Sequence, residues 1–127
     1  MKKLNNKSFV KAIKESVRES AVTSTINNLT KPAGRRPLQE NLDLSLWYNG
    51  LTESDKTMLK KAILRAVDHS VFGFLAVLDG VHAIEDSPEK GKFELFYEKN
   101  SISKLLNSEE DEYLHDIYKQ LISDDKN

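Results

Sequence analysis

The stretch SVFGFLAVLDGVHAIED, Ser70 to Asp86, is the one densely apolar passage of a polar chain, and it sets Asp79, His82 and Asp86 among its apolar residues. Its unbroken apolar run, glycine included, reaches only from Val71 to Leu78 before Asp79 closes it. A membrane-spanning helix needs about 20 mainly apolar residues. The passage therefore reads as a core helix of a globular domain. Followed back along the chain, Leu59, Ala62, Ile63, Ala66, Val67, Ser70, Phe74, Val77, Val81 and Ile84 stay on one side of a helical wheel. Thr52 or Ser54 suits its N-cap, and Glu53 and Asp55 suit its first turn. The spacing predicts one long helix over 53–85, with Gly73 and Gly80 as the places where it could break.

The same wheel defines two other sectors. His69, Gly73, Ala76, Gly80 and Ala83 form a nearly side-chain-free groove suited to close approach of another element. Asp68, Asp79, His82 and Asp86 form a polar stripe that also carries Phe72 and Leu75. A polar stripe on a core helix is ordinarily its wet side, but two large apolar side chains among acids suggest a cover or a partner.

Outside this helix, Phe9, Ile13, Val17 and Ala21 recur at four-residue steps from a start near Ser8, with a kink or restart beyond Ala21. Lys7, Lys11, Lys14 and Arg18 gather on another face of that helix. KPAGRRPLQE, residues 31–40, holds two prolines and a glycine and reads as an exposed linker. In NLDLSLWYNGL, Leu42, Leu44 and Leu46 alternate with polar residues, which predicts a short strand or a loop docked by Leu46 and Trp47, closed by a turn at Asn49-Gly50. Pro88 and Gly91 punctuate SPEKG. KFELFYEK and SISKLL, joined across Asn100, then read as a hairpin, which must lie on helices or gain a third strand to be stable. Ser108 followed by Glu109, Glu110 and Asp111 predicts the cap of a last helix whose buried stripe is Leu114, Ile117, Tyr118 and Leu121. The expected fold is α+β and mainly helical: a long central helix, flanking N- and C-terminal helices and one antiparallel hairpin. It is read as a single domain over 1–127, with a basic helical arm at 1–36, a main body at 41–122 and a frayed tail at 123–127.

The 127 residues are 39% hydrophobic and 31% charged, enough for one core of modest size. There is no cysteine, which excludes disulfides and thiolate chemistry. Lys11 and Lys14 interrupt any leader-like apolar run at the start, so a cytoplasmic protein is expected. Residues 1–36 carry nine Lys and Arg against two Glu, whereas residues 37–127 carry ten against eighteen acids. The two parts can compensate each other on folding, or the basic arm can meet nucleic acid through Lys7, Lys11, Lys14, Arg18, Lys31, Arg35 and Arg36. Aromatic residues do not interleave with this basic set.

For catalysis or metal binding the candidates are Asp79 and His82, neighbours on a helix, joined by His115 of the HD pair His115-Asp116, with Asp86 and Asp116 as further metal ligands. Imidazole and carboxylate can bind a divalent ion or move a proton. No HExxH spacing, nucleophile elbow or phosphate-cradling loop accompanies them, so the reading leans away from an enzyme and no cofactor is expected.

SVFGFLAVLDGV at 70–81, and LLN followed by EYLHDIY within 105–118 after KGKFELFYEK, together resemble small bacterial α+β proteins of the kind found near toxin genes as immunity proteins. The resemblance covers about the second half of the chain and implies a soluble bacterial protein that works by binding. It carries no catalytic residue across. The favoured function is accordingly a non-catalytic protein-binding or regulatory module, such as an immunity protein. Phe72 and Leu75 would offer an apolar contact, and Glu109, Glu110, Asp111 and Glu112 would face a basic toxin. A homodimer through the Gly73/Gly80 groove or the Phe72/Leu75 stripe is a further expectation. A small acid/base or metal-assisted enzyme, or a nucleic-acid binder, is the alternative.

Overall fold

The computed structural model describes residues 4–125 and has a mainly helical α+β architecture. Its elements are α1 (Asn6–Ile13), a π-helical turn (Lys14–Arg18), α2 (Glu19–Thr30), α3 (Gln39–Asn49), α4 (Glu53–Leu78), β1 (Phe96–Lys99), β2 (Ile102–Leu105) and α5 (Leu114–Asp124). Contacts divide the chain into two compact units, one of residues 4–15 with 69–125 and the other of residues 16–68. The basic segment is therefore no separate arm, because its two parts belong to different units.

In the first unit, α1 starts at a capping box: the Asn5 side chain accepts from the Ser8 N–H at 2.9 Å, and the Ser8 hydroxyl accepts from the Asn5 N–H at 2.9 Å. The core is Val10 of α1, Leu75 of α4, and Leu114, Ile117 and Tyr118 of α5. Phe72, Leu78, Leu95 and Leu121 pack around it. The apolar stripe expected of the last helix is thus the stripe that α5 buries. Its start is not at Ser108, however. Ser108 accepts the N–H groups of Glu110 and Asp111 in a turn, and the helix begins at Leu114.

The face of α4 that enters this core is opposite to the expected one. Leu75 is 2% exposed and Ala76 is buried beside it, whereas Phe74 is 65% exposed and Val81 and Ile84 are also open to solvent. Positions 72, 75, 76 and 79 follow the helical repeat, about half a turn from 74, 77 and 81. The helix also ends at Leu78 rather than near 85, because Gly80 adopts φ +79° and closes it. The Gly80 N–H reaches the Val77 carbonyl and the Val81 N–H reaches the Ala76 carbonyl, both at 3.1 Å. That is the Schellman arrangement, which glycine enters without a Cβ clash. Gly73 lies inside the helix, and a Cβ placed there would meet nothing within 4 Å among the described residues, so of the expected groove only Ala76 is buried.

The hairpin forms as expected, with Phe96 opposite Leu105 and Lys99 opposite Ile102. Asn100 and Ser101 both take positive φ, 51° and 66°, as a two-residue type I′ turn requires. Asn107, buried, ties the hairpin base to the end of α4. Its side chain accepts the Leu95 N–H at 2.9 Å and donates to the Leu78 and Phe93 carbonyls at 2.7 and 2.9 Å.

The second unit pairs α2 with α3 and includes the start of α4. Thr52 caps α4, its hydroxyl accepting the Asp55 N–H at 3.1 Å. Residues 39–49, expected as a strand or docked loop, are helical instead. QENLDLSLWYN contains no β-branched residue and several good helix formers, so the alternation of leucines does not make a strand. In the helix Ser45 and Tyr48 are buried, while Leu46 and Trp47 point outward. The Thr30 carbonyl at the end of α2 accepts from Ser45 Oγ at 3.3 Å and Asn49 Nδ2 at 3.0 Å, fixing the two helices together. Buried Arg18 holds Asp68 in a fork, Nε to Oδ1 at 2.5 Å and Nη2 to Oδ2 at 3.2 Å. The irregularity in the N-terminal helix therefore falls at Lys14–Arg18, ahead of the expected kink beyond Ala21.

If this face assignment is correct, Leu75→Ala lowers unfolding free energy by about 2–5 kcal/mol. Phe74→Ala stays within about 0.5 kcal/mol of wild type. Urea denaturation followed by circular dichroism checks both; equal losses would reverse the assignment.

Candidate functional site

The two ends that meet in the first unit bring together Asp79 and His115. Asp79 is the residue just past α4, where the chain turns at Gly80, and its side chain is wholly buried. Tyr113 occupies the N-cap of α5 and makes no side-chain cap, so the first N–H groups of that helix need another acceptor. Asp79 supplies it. Its Oδ2 accepts the backbone N–H of His115 at 2.9 Å and stands 2.6 Å from His115 Nδ1. A carboxylate at a helix N-terminus is favoured by the helix dipole. One oxygen thus caps α5 and orients the imidazole through its Nδ1.

The ring is held on its other sides as well. Phe72 meets it edge-on with centroids 5.5 Å apart, and Tyr113 stacks on it at 5.7 Å. Only 12% of the His115 side chain is exposed, and its Nε2 lies 3.4 Å from Asp116 Oδ1. Asp79 Oδ1 is the one side-chain polar atom found buried without a hydrogen-bond partner among the described residues. Such an orphan is costly. The two contacts that Oδ2 makes with His115 offset that cost.

Of the residues singled out for chemistry, the structure unites Asp79, His115 and Asp116 and leaves out His82 and Asp86, both exposed beyond the end of α4. No group of three or more His, Asp or Glu side chains in metal-holding geometry occurs among the described residues. Asp79 addresses Nδ1 whereas Asp116 addresses Nε2, so the three do not converge on one point. Of the residues proposed for partner contact, Leu75 belongs to the core and Phe72 is half-buried against it and the His115 ring. Core packing removes Leu75 from any docking surface. Glu109, Glu110, Asp111 and Glu112 are exposed; Lys92 stands 3.8 Å from Glu109, and Lys7 stands 3.9 Å from Glu112.

The basic set is likewise redistributed. Arg18 is buried on Asp68, and Lys14, largely covered, pairs with Asp125 at 2.9 Å. Lys11 and the loop residues Lys31, Arg35 and Arg36 remain exposed. A continuous basic face on the N-terminal helix is not formed, because two of its members point inward to carboxylates. Asn107 and Tyr113 were not legible as site residues. A lone Asn before a serine carries no pattern, and the role of Tyr113 depends on where α5 starts. No family model, curated protein or solved structure matches the chain. No helix among the described residues is long and apolar enough to cross a membrane.

The capping role makes a specific expectation. Asp79→Ala should cost about 1–3 kcal/mol by leaving a buried N–H unpaired, with Asp79→Asn milder because an acceptor remains. A cycle with His115→Ala should show coupling of about 0.5–3 kcal/mol, and amide exchange at His115 should accelerate in Asp79→Ala. Additive effects in thermal melts would mean that the two groups do not act together.

Proposed function

We propose that this chain is a non-catalytic protein-binding module of the bacterial cytoplasm, and that α3 supplies its apolar contact. The observation that carries this reading is the outward face of α3, where Leu46 is 79% exposed and Trp47 is half exposed while the helix buries only Ser45 and Tyr48. Leu42 and Leu44 of the same helix are exposed, and so is Leu38 just before it. Clustered exposed apolar side chains mark interaction surfaces more often than chance placements do, and Trp is prominent among residues that dominate binding energy.

Immunity-type inhibition of a basic toxin is the concrete version of this reading. The exposed acidic turn Glu109, Glu110 and Asp111 supports it, since a run of carboxylates steers a basic partner and quickens its association. The Asp79–His115 pair does not favour an enzyme over this reading, because its shared oxygen is engaged in holding a helix end.

A photo-crosslinking residue at position 46, used in the native host, should capture a partner protein that the same residue at position 60 does not. With that partner purified, Leu46→Ser with Trp47→Ser should weaken binding at least 10-fold in calorimetry while leaving the melting curve unchanged. Capture of another copy of this chain alone, or unchanged affinity of the double variant, would overturn the reading. The toxin version adds a kinetic expectation. Neutralising Glu110 and Asp111 should slow association, and so should added salt.

A further inference from the structure

The fold uses one nitrogen of the His115 ring and leaves the other beside Asp116, a side chain open to solvent. The geometry points to a site for a divalent first-row metal ion at that nitrogen, held by His115 Nε2 and Asp116 Oδ1. The inference is independent of the binding role of α3.

Three observations carry it. Asp79 Oδ2 stands 2.6 Å from Nδ1, and a carboxylate there favours the tautomer that donates Nδ1–H to it, which leaves the lone pair of the neutral ring at Nε2. Metal-bound histidines almost always donate their other ring N–H to a carboxylate or carbonyl, which fixes the ring and raises its basicity. Here that partner is a wholly buried carboxylate, itself locked by the His115 backbone N–H. The second observation is spacing. Two donors each about 2.0–2.2 Å from a tetrahedral ion stand roughly 3.4 Å apart, and Nε2 and Asp116 Oδ1 are 3.4 Å apart. The third is access: Phe72 and Tyr113 flank the ring as an apolar wall, while Asp116 is open to solvent, so an ion approaches from the Asp116 side.

One imidazole and one carboxylate suit zinc, nickel or copper, with copper bound tightest. With only two protein ligands, water fills the other positions and the affinity is modest. The two carboxylates also offset the positive end of α5, which would otherwise repel a cation. Asp79 is not a ligand but a positioning residue, acting through the ring.

Titration of the full chain with zinc and with nickel by calorimetry, alongside nuclear magnetic resonance of the histidine ring signals, tests the site. One equivalent should bind, with the His115 signals shifting first. Asp116→Asn, an exposed change that leaves the core alone, should weaken binding at least 10-fold, and His115→Gln should abolish it. Asp79→Asn should weaken it 10–100-fold. His69→Gln and His82→Gln should change nothing. The inference is overturned if no saturable binding occurs up to roughly millimolar metal, or if binding survives both Asp116→Asn and His115→Gln. It is equally overturned if ring signals of the metal-treated chain show a persistent Nε2–H donated to Asp116, the signature of a simple ion pair.

Discussion

A single carboxylate oxygen, Asp79 Oδ2, joins the end of the longest helix to the beginning of the last one. The position is unfavourable for α4, since a negative charge at a helix C-terminus opposes the dipole, and favourable for α5, whose first N–H groups lack a cap of their own. Burial makes the choice sharp. A charge removed from water must be paired and hydrogen-bonded, and the His115 N–H and ring answer that need at 2.9 and 2.6 Å. Gly80 completes the arrangement by turning the chain with φ +79°, which allows the residue before it to face inward at the helix end. Asn107 closes the other side by holding the Leu78 carbonyl that the helix end leaves exposed. Loss of the Asp79 contact would therefore be felt at two helix ends, and through Asn107 at the hairpin base.

This interaction also explains why sequence periodicity selects the wrong face at the C-terminal end of α4, whereas Leu59, Ile63 and Val67 of the expected stripe are half-buried. A wheel treats charged residues as solvent-facing, so the sector holding Asp68, Asp79 and His82 reads as a wet side, although Phe72 and Leu75 within it point to a cover, which the core supplies. Once Asp79 has His115 as a partner, that sector can be buried, and Leu75 and Ala76 follow it into the core. The N-terminal helix behaves the same way, where Lys14 and Arg18 read as an outer basic stripe yet pair inward with Asp125 and Asp68. In both helices the partner lies more than 30 residues away in sequence, where local spacing carries no information about it. The apolar stripe of α5 was legible because it has no such competitor. The hairpin was legible because its turn at Asn100 and its alternation act locally. Asp79 and His115 were both named from the sequence, but their role was not, since it depends on where α4 stops and α5 starts.

The α3 segment shows the complementary failure. Leucines at every second position predict a strand if one face is to be buried, but in the helix Leu42 and Leu46 fall on one side, a turn apart, and Leu44 falls on another. The segment is helical because its composition favours it and because Ser45 and Asn49, four residues apart on one helical side, reach the same Thr30 carbonyl. Polar anchoring at one side leaves the apolar side chains to solvent, the reverse of an ordinary amphipathic helix.

The two units thus treat polarity in opposite ways, and the difference bears on function. In the first, a buried carboxylate and imidazole hold helix ends that apolar packing alone would leave with unpaired N–H groups. In the second, a hydroxyl and an amide dock α3 while Leu46 and Trp47 remain outside. Neither arrangement is what burial of apolar area by itself would select. A buried carboxylate with an unpartnered oxygen is tolerable where its other oxygen satisfies two donors at once, so Asp79 has a structural reason to exist. Leu46 and Trp47 fill no core position in their own unit: Leu46 is largely open to solvent and Trp47 is half exposed. The proposal of a binding role therefore rests on α3 rather than on the more chemically suggestive Asp–His pair, whose geometry the helix ends already explain.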